Sequence, residues 1–297
     1  MQRCLICSGV DLAVYLKDSD DSLDTSKVGS SRTFVSPGKI LRCRTCGFGF
    51  RESRFNETQM ADLYGKMDSS VYQAEVPGRI RTASRHLCIV NENSSLNGSP
   101  RNLLDVGCAS GLFLSKALDT GWQVFGLEPS EILFREAVER IGSRGTLLPE
   151  IFEKVDFGDQ RFDAITLWDV LEHVVNPLNF MERCRNLLKP GGQLFLNVPD
   201  LDSIEARFLG KKWPLLLPEH LNYFNRPSLK TCAAKAGLQI SRFGRRWSNF
   251  SIGYVLFRLS QHRIPGATLL SGVGRTFVGR WLIPIPLGET YAIFRRV

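Results

Sequence analysis

No apolar run in this chain is long enough to cross a bilayer. The most apolar late stretch, Trp247 to Phe257, is closed off by Arg246 and Arg258, well short of the ~20 residues a spanning helix needs. A secretory leader is not expected, because Cys4 and Cys7 fall where its charged and apolar regions would have to be. Histidine is scarce: the four residues His86, His173, His220 and His262 confine any imidazole chemistry to those positions. No internal repeat is found, which argues against a solenoid. What is present is an ordinary globular composition, 43% hydrophobic and ample for a core. Thirty-eight basic residues against thirty acidic ones give a formal charge of +8. That balance favours anionic partners such as phosphorylated metabolites, nucleic acid or a lipid surface, beside the plainer reading of a basic enzyme with a solvated surface. Eight cysteines without an export signal imply a cytoplasmic protein with reduced thiols, used for metal binding or burial rather than disulfides.

The chain divides into four parts. Residues 1–50 carry two cysteine pairs around a polar insert, Asp18-Ser19-Asp20-Asp21-Ser22. Residues 51–99 read as a helical linker or cap that ends in turn formers, Asn97-Gly98-Ser99-Pro100. Residues 100–245 alternate strand and helix. Residues 246–297 form an extension that includes a last strand, Thr290–Arg296. In the third part, Arg101–Val106, Val124–Glu128, Phe162–Trp168 and Gln193–Val198 are expected as strands. A helix over 111–119 ends at Gly121, Ser130 caps one running to Ile141, and Asn176-Pro177 opens another. Lys189-Pro190-Gly191-Gly192 is expected to turn out of that last helix into strand. Arg226-Pro227-Ser228 starts a helix that stops at Gly237, followed by a strand over Leu238–Phe243. Strands alternating with helices of this length predict an α/β fold with a doubly wound, mainly parallel sheet.

Such sheets bind ligands outside the carboxyl ends of their strands. The first strand ends in Asp105, and Gly107-Cys108-Ala109-Ser110-Gly111 leads into a helix. Small residues allow close backbone approach to a ligand, and the helix start offers free N–H groups. Glu128 ends the second strand, where a carboxylate can accept from both ribose hydroxyls of a nucleoside. A nicotinamide loop would need glycine at 107, 109 and 112; Ala109 and Leu112 break that pattern.

These residues resemble the class I S-adenosylmethionine-dependent methyltransferases, whose loop reads acidic-x-Gly-x-Gly-x-Gly; here that gives Asp105, Gly107, Ala109 and Gly111. Phe162–Val174 resembles the family's fourth strand and following loop, and Leu187-Leu188-Lys189-Pro190-Gly191-Gly192 its turn before strand five. The resemblance implies a seven-stranded Rossmann-like methyltransferase sheet and S-adenosylmethionine as cofactor. It assigns Asp105 to the methionine moiety, Gly107, Cys108, Ala109 and Gly111 to backbone approach, Glu128 to the ribose, and Asp169 to the cofactor side of the strand-four tip. His173, just beyond that tip, is the first candidate for a base, with Glu172 or Asp169 to orient it. His220, in Trp213–Phe224, resembles a substrate-side stretch of some family members and is the second. Tyr64 and Tyr72 resemble a tyrosine pair that closes over the cofactor, although core packing explains tyrosines equally well.

Cys4-x2-Cys7 and Cys43-x2-Cys46 form the spacing of a closed four-thiolate zinc site, with Ser8-Gly9 and Gly47 supplying tight backbone. The expectation is a structural zinc-ribbon-like module without catalysis by the metal. Cys88, Cys108, Cys184 and Cys232 lack pairing. A zinc knuckle on this core resembles a branch that includes deoxysugar C-methyltransferases, which implies a small-molecule or glycan acceptor, such as a nucleotide- or lipid-linked sugar carrying phosphate. Two other readings stand beside it. An RNA methyltransferase gripping RNA with the knuckle is disfavoured: Leu167-Trp168-Asp169-Val170 is not the Asn/Asp-Pro-Pro-aromatic tetrapeptide of base-amino methyltransferases, and no Lys/Arg run with interleaved aromatics flanks the cysteines. A non-catalytic binding module is disfavoured by the intact loop. The apolar segments Phe250–Leu259, Leu269–Val273 and Trp281–Leu287 are expected to cover the sheet, with peripheral membrane contact as the alternative.

Overall fold

The computed structural model describes residues 2–17, 37–52, 56, 59–60, 76–94, 101–261 and 276–297. The polar insert, Tyr64, Tyr72, His262, Leu269–Val273 and the boundary at 95–100 lie outside the described residues. The elements in chain order are β1 Leu12–Leu16, β2 Ile40–Cys43, β3 Gly49–Arg51, α1 Val76–Asn93, β4 Arg101–Val106, α2 Leu112–Leu118, β5 Trp122–Leu127, α3 Glu131–Ile141, β6 Thr146–Leu148, β7 Phe162–Leu167, α4 Pro177–Leu187, β8 Leu188–Pro199, α5 Ile204–Leu209, β9 Asn222–Tyr223, α6 Arg226–Lys235, β10 Leu238–Ser251, α7 Ile252–Gln261 and β11 Leu282–Arg296.

Seven strands form one sheet in the order β10-β11-β8-β7-β4-β5-β6. β4 runs parallel to β5 on one side and β7 on the other, whereas β11 is antiparallel to both β8 and β10. Helices crossing from β4 to both sides leave a crevice at its carboxyl end, the switch point of a doubly wound sheet. The middles of the central strands are apolar because both faces are covered: Leu103, Leu104, Ala164, Ile165, Leu194, Phe195 and Leu196 are fully buried. Helix starts follow local chemistry. Asn176 accepts from Asn179 N with Pro177 in the first turn, and Asn225 and Ser228 form a reciprocal capping box for α6.

Three boundaries differ from the sequence expectation. β8 begins at Leu188 and takes in the Lys-Pro-Gly-Gly turn, with a register shift opposite Phe162 and Ala164. β10 and β11 run 14 and 15 residues, far beyond Phe243 and well before Thr290. Their pairing outlasts β8, whose last partner is Pro199 opposite Glu289. The outer ends of the two strands therefore stand as a ribbon above the carboxyl edge of the sheet. A register shift between Arg246 and Ser248 marks where the ribbon leaves the sheet; bulges re-aim side chains, and this one lies where Arg246 meets the site.

The N-terminal cysteines sit on a second sheet, β1-β2-β3-β9. Its fourth strand comes from the other end of the chain: Gly49 pairs with Tyr223 and Phe50 with Asn222. Cys4, Ile6, Cys43, Cys46, Phe48 and Phe50 share one apolar core with Phe224, Leu229 and Cys232. Arg42 binds Asp202 through two 2.9 Å contacts, and Asn225 Nδ2 donates to the same carboxylate. The cysteine-bearing segment is thus built into the body of the fold beside β9 rather than tethered to it.

Candidate active site

A cavity of about 570 Å³ opens over the carboxyl ends of β4, β5 and β7. Asp105, Gly107, Cys108, Ala109, Glu128, Asp169, His173 and His220 all line it. The loop after β4 turns on Gly107 (φ 72°), Ala109 (φ 48°) and Gly111 (φ 73°). Ala109 is left-handed at a cost of ~1 kcal/mol, offset locally because its N–H donates to Glu128 Oε2 at 2.9 Å. Glu128 Oε1 accepts from Ser130 N at 2.8 Å, so one buried carboxylate joins the β4 and β5 loops. Each oxygen keeps a second acceptor direction, which two vicinal hydroxyls can use. Gly111 is pinned from behind: a Cβ there would lie 3.3 Å from Ala137. Arg140 donates to the Ser110 carbonyl and holds the loop against α3.

Asp105 is buried and accepts from Thr166 Oγ1 at 2.6 Å. Burial raises its carboxyl to about 7; the Thr166 hydrogen bond opposes this and the Glu128 charge adds to it. The folded state therefore holds the proton more tightly than the unfolded chain. The stability of the protonated form is present below about 3.8 and is lost as pH rises towards 7. Asp105→Asn keeps an acceptor for Thr166 and removes the charge. Urea unfolding without cofactor is expected to show the variant more stable at pH 8 by on the order of 2–4 kcal/mol and nearly equal at pH 4. Equal stability at pH 8 would show that the charge is accommodated at no cost.

The strand-four tip is organised differently from the sequence reading. Asp169 (φ 58°) does not orient His173. Its carboxylate accepts from Arg246 Nη1 and Asn197 Nδ2, each at 2.6 Å, and from Arg246 Nη2 at 3.1 Å. Arg246 also donates to Glu289, which accepts in turn from Asn197 Nδ2 at 2.9 Å. Burial alone would raise Asp169, but the guanidinium and the Asn197 amide hold it well below the usual carboxylate range. Burial raises Glu289 to about 7 despite Arg246. Arg246, Asn197 and Glu289 escaped the sequence reading because they meet Asp169 only through β8, β10 and β11.

At the other end of the cavity, His173 Nδ1 lies 3.1 Å from the Glu219 carbonyl and His220 Nδ1 lies 2.9 Å from the Leu215 carbonyl. The two rings stand edge to face, 4.7 Å apart, and burial pulls His173 down to about 4. Glu172, beside them, is buried. The wall opposite is α1, where His86 stacks on Trp168 at 3.8 Å. His86 Nε2, Trp168 Nε1, Glu172 Oε2, Arg246 Nε and Asn249 Nδ2 are buried atoms of cavity-lining residues without a hydrogen-bond partner among the described residues. Unsatisfied buried polar atoms are costly, and five around one cavity mark a place for a polar ligand. Phe250 and Tyr254, stacked at 5.5 Å, also line the cavity, so this part of the apolar extension covers the site.

The four cysteines converge as their spacing predicts. Sγ–Sγ distances are 3.6 Å for Cys4–Cys46 and 3.5 Å for Cys7–Cys43, and all four sulfurs lie within 4.8 Å of one another. A tetrahedral ion with ~2.3 Å bonds needs sulfurs ~3.8 Å apart, whereas a disulfide needs ~2.05 Å.

A family model described as a methyltransferase domain matches residues 79–242, more than half the chain. The ubiquinone biosynthesis O-methyltransferase of Xanthomonas axonopodis pv. citri (strain 306) is 24% identical over 201 residues, covering 64% of this chain and 84% of that protein. The protein of the same name from Vibrio cholerae serotype O1 (strain M66-2) is 33% identical over 139 residues, and the match spans 43% of this chain and 56% of that relative. Magnesium protoporphyrin IX methyltransferase from Synechocystis PCC 6803, solved with bound SAM, shares the fold at a TM-score of 0.51 and 13% identity, over 83% of this chain and 100% of that one. No helix among the described residues is long and apolar enough to cross a membrane. With the loop, the acidic strand end and the sheet order in agreement with the sequence match, the chain belongs to the methyltransferase-domain family.

Proposed function

We propose that this protein transfers the methyl group of S-adenosylmethionine to a small, hydroxyl-rich acceptor of the glycan type, such as a nucleotide- or lipid-linked sugar. The observation that carries the reading is the convergence of two kinds of wall on one cavity. Asp105, Gly107, Cys108, Ala109 and Glu128 form the nucleoside end, and His173, His220 and the polar atoms unpartnered among the described residues form the acceptor end. Methyl transfer from a sulfonium is an in-line displacement, so alignment and exclusion of water supply much of the rate. Asp105 and the close backbone approach of the loop hold the cofactor's methionine part, and Glu128 holds the ribose. Asp169 is a positioning residue: tied to Arg246 and Asn197, it fixes the strand-four tip between donor and acceptor. His173 and His220 activate the acceptor's attacking group. Donors such as Trp168 Nε1, Arg246 Nε and Asn249 Nδ2, opposite the acceptor Glu172 Oε2, suit hydroxyls, which both give and take hydrogen bonds. The O-methyltransferase names of the relatives fit a small acceptor of this size.

We also propose that Cys4, Cys7, Cys43 and Cys46 hold a structural zinc ion. Four thiolates complete the coordination, leaving no open position for chemistry.

The test is a screen of nucleotide sugars with cofactor labelled in the methyl group. Label is expected in a sugar product for at least one of them. Transfer to RNA, or to no small acceptor while the cofactor still binds, would reject the acceptor class.

A further inference from the structure

Glu172, His173 and His220 each offer one ligand atom, and these atoms lie within 4.8 Å of one another. Nitrogen and oxygen ligands ~2.1 Å from one ion sit roughly 3–4 Å apart, so small side-chain rotations bring all three onto a common centre. The scaffold beneath them is rigid. The Glu172 carbonyl accepts from Leu221 N at 2.8 Å and Asn222 N at 2.9 Å. Asn222 Nδ2 donates to the carbonyls of Leu171 and Val174. The two ligand-bearing segments are therefore clamped together. Each ring is oriented by a backbone carbonyl at Nδ1, the outer-shell partner usual for a metal-binding histidine. A separate observation points the same way: Glu172 is 2% exposed, yet its Oε2 has no hydrogen-bond partner among the described residues. A buried carboxylate oxygen with nothing to accept from is costly, and a cation relieves it.

We propose that Glu172, His173 and His220 form a divalent-cation site at the acceptor end of the cavity, and that the acceptor's attacking oxygen is a ligand of that ion. Two imidazoles and one carboxylate leave coordination positions open, and all three residues line the cavity, so those positions face the acceptor. The ion lowers the pKa of a hydroxyl bound to it. The O–H bond breaks and its proton leaves to solvent. The oxygen then forms a bond to the methyl carbon as the carbon–sulfur bond breaks, its electron pair staying on sulfur to give a neutral thioether. In this arrangement the histidines act through the ion rather than as free proton acceptors. The chemical role rests on the methyltransferase reading above; the binding of the ion does not.

The experiment uses Mn2+, a hard ion poorly suited to the four-thiolate site. Purified protein with its cysteine-bound metal intact is titrated with Mn2+, and free ion is followed by electron paramagnetic resonance. S-adenosylmethionine affinity is measured on the same samples by calorimetry. Wild type is expected to bind one Mn2+ per chain. Glu172→Gln and His220→Gln are expected to weaken that binding at least tenfold while cofactor affinity stays within twofold, which shows that the variants are folded. No stoichiometric Mn2+ in wild type, or equal binding by both variants, overturns the proposal and leaves the histidines as direct bases. Mn2+ binding without cofactor binding would instead reject the methyltransferase reading and leave the ion site standing.

Discussion

Cys43→Ser is expected to abolish zinc binding at the four-cysteine site, lower the melting temperature by ~10 °C or more and make methyl transfer heat-sensitive. Structural zinc contributes an apparent ~10–16 kcal/mol to small domains, so losing one ligand of four removes several kcal/mol, each worth ~2–4 °C in a chain of this size. The consequence reaches past the module. Cys43 ends β2, β2 pairs with β3, and β3 pairs with β9 two residues beyond His220. Loosening that sheet frees the segment that carries His220 and the Leu221 and Asn222 contacts to Glu172. The Gly107–Gly111 loop follows a strand of the other sheet, which among the described residues is not hydrogen-bonded to the sheet that carries the cysteines. Near the melting point of the variant, acceptor turnover should therefore fail before cofactor binding does. Metal analysis, a thermal melt and calorimetry with S-adenosylmethionine check this. Unchanged zinc content, or simultaneous loss of binding and turnover, would show that the cysteines do not support the acceptor edge.

The second large effect is expected at Glu128. Glu128→Ala should weaken S-adenosylmethionine binding by ~100-fold or more, since it removes charge-assisted hydrogen bonds worth ~1.5–3 kcal/mol each and orphans the N–H groups of Ala109 and Ser130. Glu128→Gln should be nearly as damaging. Both carboxylate oxygens already accept from backbone, so an amide must turn its NH2 against one of those N–H donors. A glutamine variant that binds within threefold of wild type would show that the carboxylate is not the ribose partner. Calorimetric titration of the three proteins decides between these outcomes.

The meeting of the Asp105–Gly111 loop with Glu128 was legible in the sequence because it is local. Asp105 to Gly111 lies within one strand-turn-helix unit, and Glu128 ends the adjacent parallel strand, so chain order and spacing place them together. Asn176-Pro177 was legible for the same reason, since a cap is a contact across three residues, whereas the cap of α6 is Asn225, one residue before the Arg226-Pro227-Ser228 start that the sequence indicated. The Lys-Pro-Gly-Gly turn was read as a connector because its residues are poor strand formers; in the fold it lies inside β8 as an unpaired bulge between Leu188 and Gln193, the two residues that pair with β7. β10 and β11 were drawn too short because Arg245-Arg246 and Pro284-Ile285-Pro286 break the alternating pattern. Their extended backbone is fixed instead by one another.

By itself the sequence determined the sheet, the cofactor loop, the Glu128 strand end and the convergence of four cysteines, all of which rest on short-range periodicity, turn chemistry and ligand spacing. Only the tertiary structure decided what surrounds His173. It took Asp169 from His173 and gave it to Arg246, 77 residues away. It brought His220 beside His173 and Glu172, and it joined the cysteine module to the His220 segment through β9. The physical reason is the range of the forces involved. An ion pair, a buried carboxylate or a shared strand edge gains its energy from groups that meet only after the chain has folded, and no local pattern in the sequence records which groups those will be.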